Sequence, residues 1–136
     1  SGTPLNRLNF ASTLSEDLNL PEFKKSVEAV VRAINITNKY AEESQAAKLE
    51  VGSLTHEAEL ALYQTLEAMA LDSESSPQQY LKTLYQLESS ITAFFDNVMV
   101  MDENPILRSN RLALCNRLSQ WSSKHLDLRE IIFPGD

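Results

Sequence analysis

Along most of this chain apolar residues return every three or four positions, and short polar interruptions separate the stretches, which is the mark of amphipathic helices. Thr3-Pro4 pairs a helix cap with a proline at the first helical position. Leu5, Leu8, Ala11, Leu14 and Leu18 follow on one stripe, predicting a first helix that stops near Leu20. Pro21 can open a second helix, with Phe23, Val27, Val30, Val31, Ile34 and Ala41 on its apolar face, and the pattern allows it to run past Tyr40 into the Glu42 to Lys48 segment. Gly52-Ser53 breaks the pattern, and Thr55 then offers a cap for a third helix carrying Ala58, Leu62, Leu66 and Met69.

The polar run from Asp72 to Ser76 reads as a loop. Ser76-Pro77-Gln78-Gln79 supplies a full start signal, because Ser76 can accept from the Gln79 amide while the Gln79 side chain reaches back. The fourth helix that follows has the strongest 3.6-residue periodicity, through Tyr80, Leu84, Leu87, Ile91, Phe94, Phe95 and Val98. Since Val98 to Met101 are apolar all round, the end of this helix is expected to be enclosed by its neighbours. Asn104-Pro105 repeats the cap-then-proline signal for a fifth helix with Leu107, Leu114, Leu118 and Trp121 facing the core, and a short helical turn is expected after Asp127. No segment shows strict apolar/polar alternation, and no internal repeat stands out. The prediction is an all-α fold, a bundle of about five helices forming a single domain over residues 1–136. Ser1-Gly2, without an initiator Met, fits a processed end or cloning remnant on a domain cut from a longer chain.

Composition changes this picture little. Three Gly and five Pro in 136 residues favour helices, and 43% hydrophobic with 23% charged residues is ordinary for a soluble domain. The single Cys115 cannot close an internal disulfide, and no apolar run nears the roughly 20 residues that span a bilayer. A cytoplasmic or organelle-stroma setting is therefore expected, with neither a membrane nor DNA as partner. His56 and His125 lie far apart and outside any nucleophile or metal pattern, and the isolated glycines make no phosphate loop. No catalytic residue, metal or cofactor is expected in this domain, and Cys115, beside Leu114 on a helix, is expected to be a small core residue.

Charge changes it more. Twelve Lys+Arg against nineteen Asp+Glu give a net charge of -7, which spread evenly would repel a polyanion. The charge is segregated instead. Arg108, Arg111, Arg117 and Lys124 fall between Pro105 and Leu126 with no acid among them, while Glu50, Glu57, Glu59, Glu67, Asp72 and Glu74 gather around the third helix. On a helical projection Arg108 and Arg111 flank one side of the apolar stripe of the fifth helix, and Arg117 and Lys124 the other. Arginine offers forked donors and a stacking face suited to RNA loops, and Asn110 could add hydrogen bonds to base edges. The plainer use is ion pairing with Asp96, Asp102 or Glu103 across the preceding turn. A second candidate is the helix face of Arg32, Asn35, Asn38 and Lys39, whose amides and guanidinium suit splayed bases; its plainer use is as a solvated surface. Phe94-Phe95 is assigned to the core rather than to base stacking.

Three stretches, Arg32-Ala33-Ile34-Asn35-Ile36, Phe94 through Met101 (FFDNVMVM), and Arg108-Ser109-Asn110-Arg111-Leu112-Ala113-Leu114, resemble in order and spacing the C-terminal end of the beta subunits of bacterial-type glycyl-tRNA synthetases. The similarity runs from about Leu5 to Ile132. It implies a helical anticodon-binding domain akin to that of arginyl-tRNA synthetases, binding glycine tRNA. Its partners would be the rest of the beta subunit and a catalytic alpha subunit, in an α2β2 tetramer whose alpha subunit activates the amino acid. Two positions depart from the pattern: Val31 stands where a basic residue is expected, and Cys115 where a second Leu is usual. The competing expectation is a helical module that docks subunits or domains through its acidic third helix without touching RNA.

Overall fold

The computed structural model describes residues 4–69 and 76–135, with side chains from residue 9 onward. Six α-helices occur among them: α1 (Pro4–Ser15), α2 (Pro21–Lys39), α3 (Ala41–Ala46), α4 (Glu57–Ala68), α5 (Pro77–Asn97) and α6 (Pro105–Ser122). Two 3-10 turns, Val51–Ser53 and Leu128–Glu130, complete the described elements, which contain no strand. The Thr3 cap, the Leu5 and Leu8 side chains and residues 72–75 of the expected loop lie outside the described residues.

Helices α2, α5 and α6 make the centre, each packed on at least one of the others, with α1 and α4 against α5 and α3 against α6. Their meeting faces bury Phe23, Val30 and Ile34 of α2, Leu84, Leu87, Ile91 and Phe94 of α5, and Leu112, Leu114 and Leu118 of α6. Burying side chains of this size stabilises by about 1.5–3 kcal/mol each, which is why the three- and four-residue spacing sets the architecture. Tyr80 stacks on Trp121 with ring centroids 4.7 Å apart, and its hydroxyl donates to the Ser122 carbonyl at 2.8 Å. That phenol is buried against the end of α6, with its one polar atom satisfied.

Helix starts follow the local signals closely. Ser76 Oγ accepts from the Gln79 amide at 3.2 Å while Gln79 Oε1 accepts from the Ser76 amide at 3.1 Å. Asn104 Oδ1 accepts from the amides of Ile106 and Leu107, and Asp127 caps the final turn through the Arg129 amide. The cap of α4 is a correction: His56, not Thr55, takes that position, its Nδ1 accepting from the Ala58 amide at 3.0 Å. The Glu59 carboxylate reaches back to the amides of both Thr55 and His56, so the box closes one residue later than the Thr55 signal implied.

Four further expectations change. Helix α1 ends at Ser15 and passes into turns before Pro21. Helix α2 does not continue into the Glu42 segment: Tyr40 leaves helical geometry (φ −116, ψ 50) and α3 sets off from it to pack on α6. The run Val98 to Met101 is not an enclosed helix end. Helix α5 stops at Asn97, Val98 is extended, and Val100 and Met101 form a turn that carries Val100 inward, 5% exposed, while Met99 faces outward at 69%. On α6, Leu107 is only half-buried, and Leu112 and Cys115 join Leu114, Leu118 and Trp121 inside. Burial pushes the Cys115 thiol up to about 12, as expected of an inert core residue.

Candidate nucleic-acid interface

The arginines of α6 turn largely toward the protein's own carboxylates. Arg111 is buried. Its Nε donates to Glu59 Oε2 at 2.7 Å, and its Nη1 donates to the Met99 carbonyl at 2.8 Å and lies 3.6 Å from Asp102 Oδ2. One guanidinium therefore joins α6, the start of α4 and the loop after α5. Glu59 is fully enclosed, and burial raises its carboxyl pKa, but the Arg111 hydrogen bond, the His56 and Thr55 amides and the Arg111 charge together hold it below the usual carboxylate value. Asn110 is equally enclosed: its Oδ1 accepts from the Glu50 amide at 2.6 Å and its Nδ2 donates to the Glu50 carbonyl at 3.1 Å, in the manner of a strand partner. Asn110 and Arg111 are thus not surface groups waiting for a loop of RNA.

Arg108 and Arg117 are half-exposed and each has a carboxylate partner at 3.0 Å, Glu43 of α3 and Glu67 of α4 respectively. Arg108 Nη1 also donates to the Asp102 carbonyl at 3.0 Å. Of the acids expected as partners, Asp102 takes part, while the remaining pairs reach across the bundle. Lys124 lies past the end of α6, exposed and without an ion pair among the described residues.

The second candidate has the opposite character. Arg32, Asn35, Asn38 and Lys39 of α2 are all exposed, and none meets a carboxylate at ion-pair distance among the described residues. Residues Ala29 to Lys39 contain no acid. Arg32 lies over the half-buried ring of Phe95, 4.6 Å from its centroid, and the Lys39 ammonium is 5.5 Å from the Tyr40 ring. These contacts steady the side chains without neutralising them. Of the aromatic pair on α5, Phe94 is fully in the core, whereas Phe95 borders this face.

A cleft of about 280 Å³ adjoins the same helix, lined by Val27, Glu28, Val31 and Asn35 of α2 and by Leu128, Arg129, Ile131 and Phe133 from the C-terminal segment. Arg129 is held there by a two-pronged pair with Asp127, at 2.7 Å from Nη2 to Oδ2 and 3.0 Å from Nε to Oδ1. That pair lowers the Asp127 pKa and raises that of Arg129. The sequence pattern does not single out Arg129. Its only local signal is the Asp127 cap two residues before it, and its place beside α2 depends on the chain end folding back. His56 serves as a helix cap, and the His125 ring stacks on Phe10 at 4.1 Å. Among the described residues no three His, Cys, Asp or Glu side chains gather as a metal site would require, and no helix is long and apolar enough to cross a membrane.

Comparison with known proteins matches the family described as the DALR anticodon binding domain over residues 27–134. Among curated proteins, the chain is similar to the glycine–tRNA ligase beta subunits of Streptococcus pneumoniae strains 70585 and JJA. It is 35% identical to each over 124 residues, which is 91% of this chain and 18% of the relative. No solved structure matches. The matched stretch takes in α2 from Val27 onward, every later helix and the C-terminal segment that forms the cleft, and on that match the chain belongs to the DALR anticodon-binding domain family.

Proposed function

We propose that this domain binds the anticodon loop of glycine tRNA and serves as the RNA-recognition module of a glycine–tRNA ligase beta subunit. The geometric observation that carries this reading is the exposed face of α2, where Arg32, Asn35, Asn38 and Lys39 stand with no carboxylate at ion-pair distance among the described residues, the nearest acid along the helix being Glu28, one turn before Arg32. Cations place phosphates and amides meet base edges, a mixture suited to a single-stranded loop. Lys124, and Arg108 and Arg117 if they trade a surface carboxylate for a phosphate, would extend the contact. Asn110 and Arg111 act through the fold. The family and the names of the relatives support the choice of RNA and of amino acid. The remaining partners in this reading are the rest of the beta subunit and the alpha subunit, in an α2β2 assembly that charges tRNA at the expense of ATP. Neither a cofactor nor a catalytic group is assigned to this domain.

The test is salt-resolved binding of the domain to a glycine tRNA transcript and to one altered in the anticodon. Affinity for the first should fall with salt, by a slope of roughly 0.7–0.9 per phosphate contacted, and the second should bind about tenfold more weakly. Equal affinity for both would overturn anticodon recognition.

A further inference from the structure

We infer that the cleft between α2 and the C-terminal segment receives one unstacked nucleobase of the bound RNA. This deepens the proposed function and rests on it. The volume, about 280 Å³, lies just below the roughly 300–1,000 Å³ of pockets that enclose drug-sized ligands, so it suits a single ring system rather than a nucleotide with its neighbours. Its lining is mixed: Val31 and Ile131 are half-exposed and offer apolar surface for the face of a planar ring, with Val27 and Phe133 almost wholly buried beside them. Its polar groups are few and distinct in kind: the Asn35 amide is both donor and acceptor, the Glu28 carboxylate is an acceptor, and Arg129 has a planar cation.

Two features favour a base over a phosphate as the occupant. Glu28 puts a negative charge on the lining, which repels phosphate yet accepts from an exocyclic amino group. The Arg129 guanidinium already spends Nε and Nη2 on both oxygens of Asp127, which neutralises its charge and fixes its plane. A guanidinium held in that way is better prepared to stack than to clamp an anion. The cleft also continues into the proposed RNA face, because Asn35 belongs to both, one helical turn from Arg32 and Lys39. Cations on the ridge would set the backbone while the adjoining cleft takes a base that has left the stack.

The experiment uses the anticodon stem-loop of a glycine tRNA as probe, intact and with a single abasic site at each loop position in turn. Binding is measured for the wild-type domain and for Val31→Trp, which fills the cleft, and Asn35→Ala, which removes an exposed amide and leaves the core untouched. One abasic position should weaken wild-type binding about tenfold, as expected when a single base is removed from its pocket. Val31→Trp should weaken the intact loop to a similar degree and lose sensitivity at that position, and Asn35→Ala should show the same coupling with about a fivefold loss. The salt slope should not change in either variant, since neither substitution touches a phosphate-binding cation. If the wild type binds in a salt-dependent, anticodon-sensitive way and no position couples to either substitution, the cleft assignment is overturned and the RNA-binding reading stands. Absence of such binding by the wild type would overturn both. Should Val31→Trp fail to fold, Asn35→Ala alone decides the matter.

Discussion

From Pro105 to Leu126 the chain carries three arginines and a lysine without an acid, and from Ala29 to Lys39 it carries one arginine and one lysine, also without an acid. By charge alone the first stretch is the stronger RNA-binding candidate. In the fold the order reverses. Helix α6 sits at the centre, so its arginines are surrounded by other elements and meet Glu43, Glu59 and Glu67, each supplied from at least 50 residues away in the chain. Helix α2 is central on one side only, and its cationic side faces solvent. A run of like charge is free to act on a partner only if the fold brings no opposite charge to it. That depends on where the acids elsewhere in the sequence end up.

The contrast is most exposed at Arg111. Replacing it with Met leaves Glu59 buried without its cation, and breaking a buried pair in this way costs about 3–5 kcal/mol, measurable as a lowered urea midpoint at unchanged slope. If instead Arg111→Met folded as well as the wild type and lost RNA affinity, α6 would return as the RNA-binding helix. The same pair makes an acid-dependent contribution. Because the carboxyl of Glu59 is lower in the folded chain than its ordinary 4.5, its stabilisation is complete above that pH and is lost as pH falls through the folded value. Unfolding measured below about pH 4.5 should therefore show a slope that Glu59→Gln diminishes.

Asn110→Ala comes next. It leaves the amide and carbonyl of Glu50 without their partner, and a loss of about 1–3 kcal/mol is expected by thermal or urea unfolding. For α2 the effect should move from stability to binding. Arg32→Ala with Lys39→Ala should weaken the tRNA complex about tenfold and lower its salt slope by roughly 0.7–0.9 for each phosphate that is no longer neutralised. The cost to folding should stay near 0.5–1 kcal/mol, set by the Arg32 contact with Phe95. Unchanged affinity in this double variant would leave the α2 face as plain solvated surface.

What sequence could and could not reveal follows from range. The Ser76/Gln79 box, the Asn104-Pro105 start and the Asp127 turn each depend on residues within three positions, and the structure has them where local chemistry put them. Helical periodicity likewise marked most of the core of α2, α5 and α6, though it missed Leu112 and placed the half-buried Val31, Phe95 and Leu107 inside. Arg111 and Glu59 are 52 positions apart, Asn110 and Glu50 are 60 apart, and no local pattern announces either contact. The cleft is less legible still, since Val31 and Arg129 become neighbours only when the C-terminal segment folds back onto α2. The break at Tyr40 was hidden for another reason. The sequence there has no glycine or proline, and α3 turns away to pack on α6, a tertiary preference that overrides a locally acceptable helix.

The smallest expected effect concerns Arg117, and it tests where the two kinds of surface meet. Its pair with Glu67 is exposed on both sides, so Arg117→Ala should change stability by no more than about 1 kcal/mol, and high salt should erase most of that difference. Its effect on RNA is the informative quantity. A guanidinium that leaves Glu67 for a phosphate exchanges one screened partner for another, so little net affinity should be gained. Arg117→Ala should then weaken tRNA binding by no more than about twofold to threefold, well short of the tenfold expected on α2. Glu67→Gln gives the complementary measurement: freeing Arg117 from its carboxylate should strengthen binding slightly if the arginine borders the RNA, and leave it unchanged if α6 only ties the bundle together. A loss on Arg117→Ala as large as that of the α2 double variant would show that a surface ion pair does not remove a cation from service. The division between the two helices would then lie at burial, which separates Asn110 and Arg111 from the rest, and not at pairing.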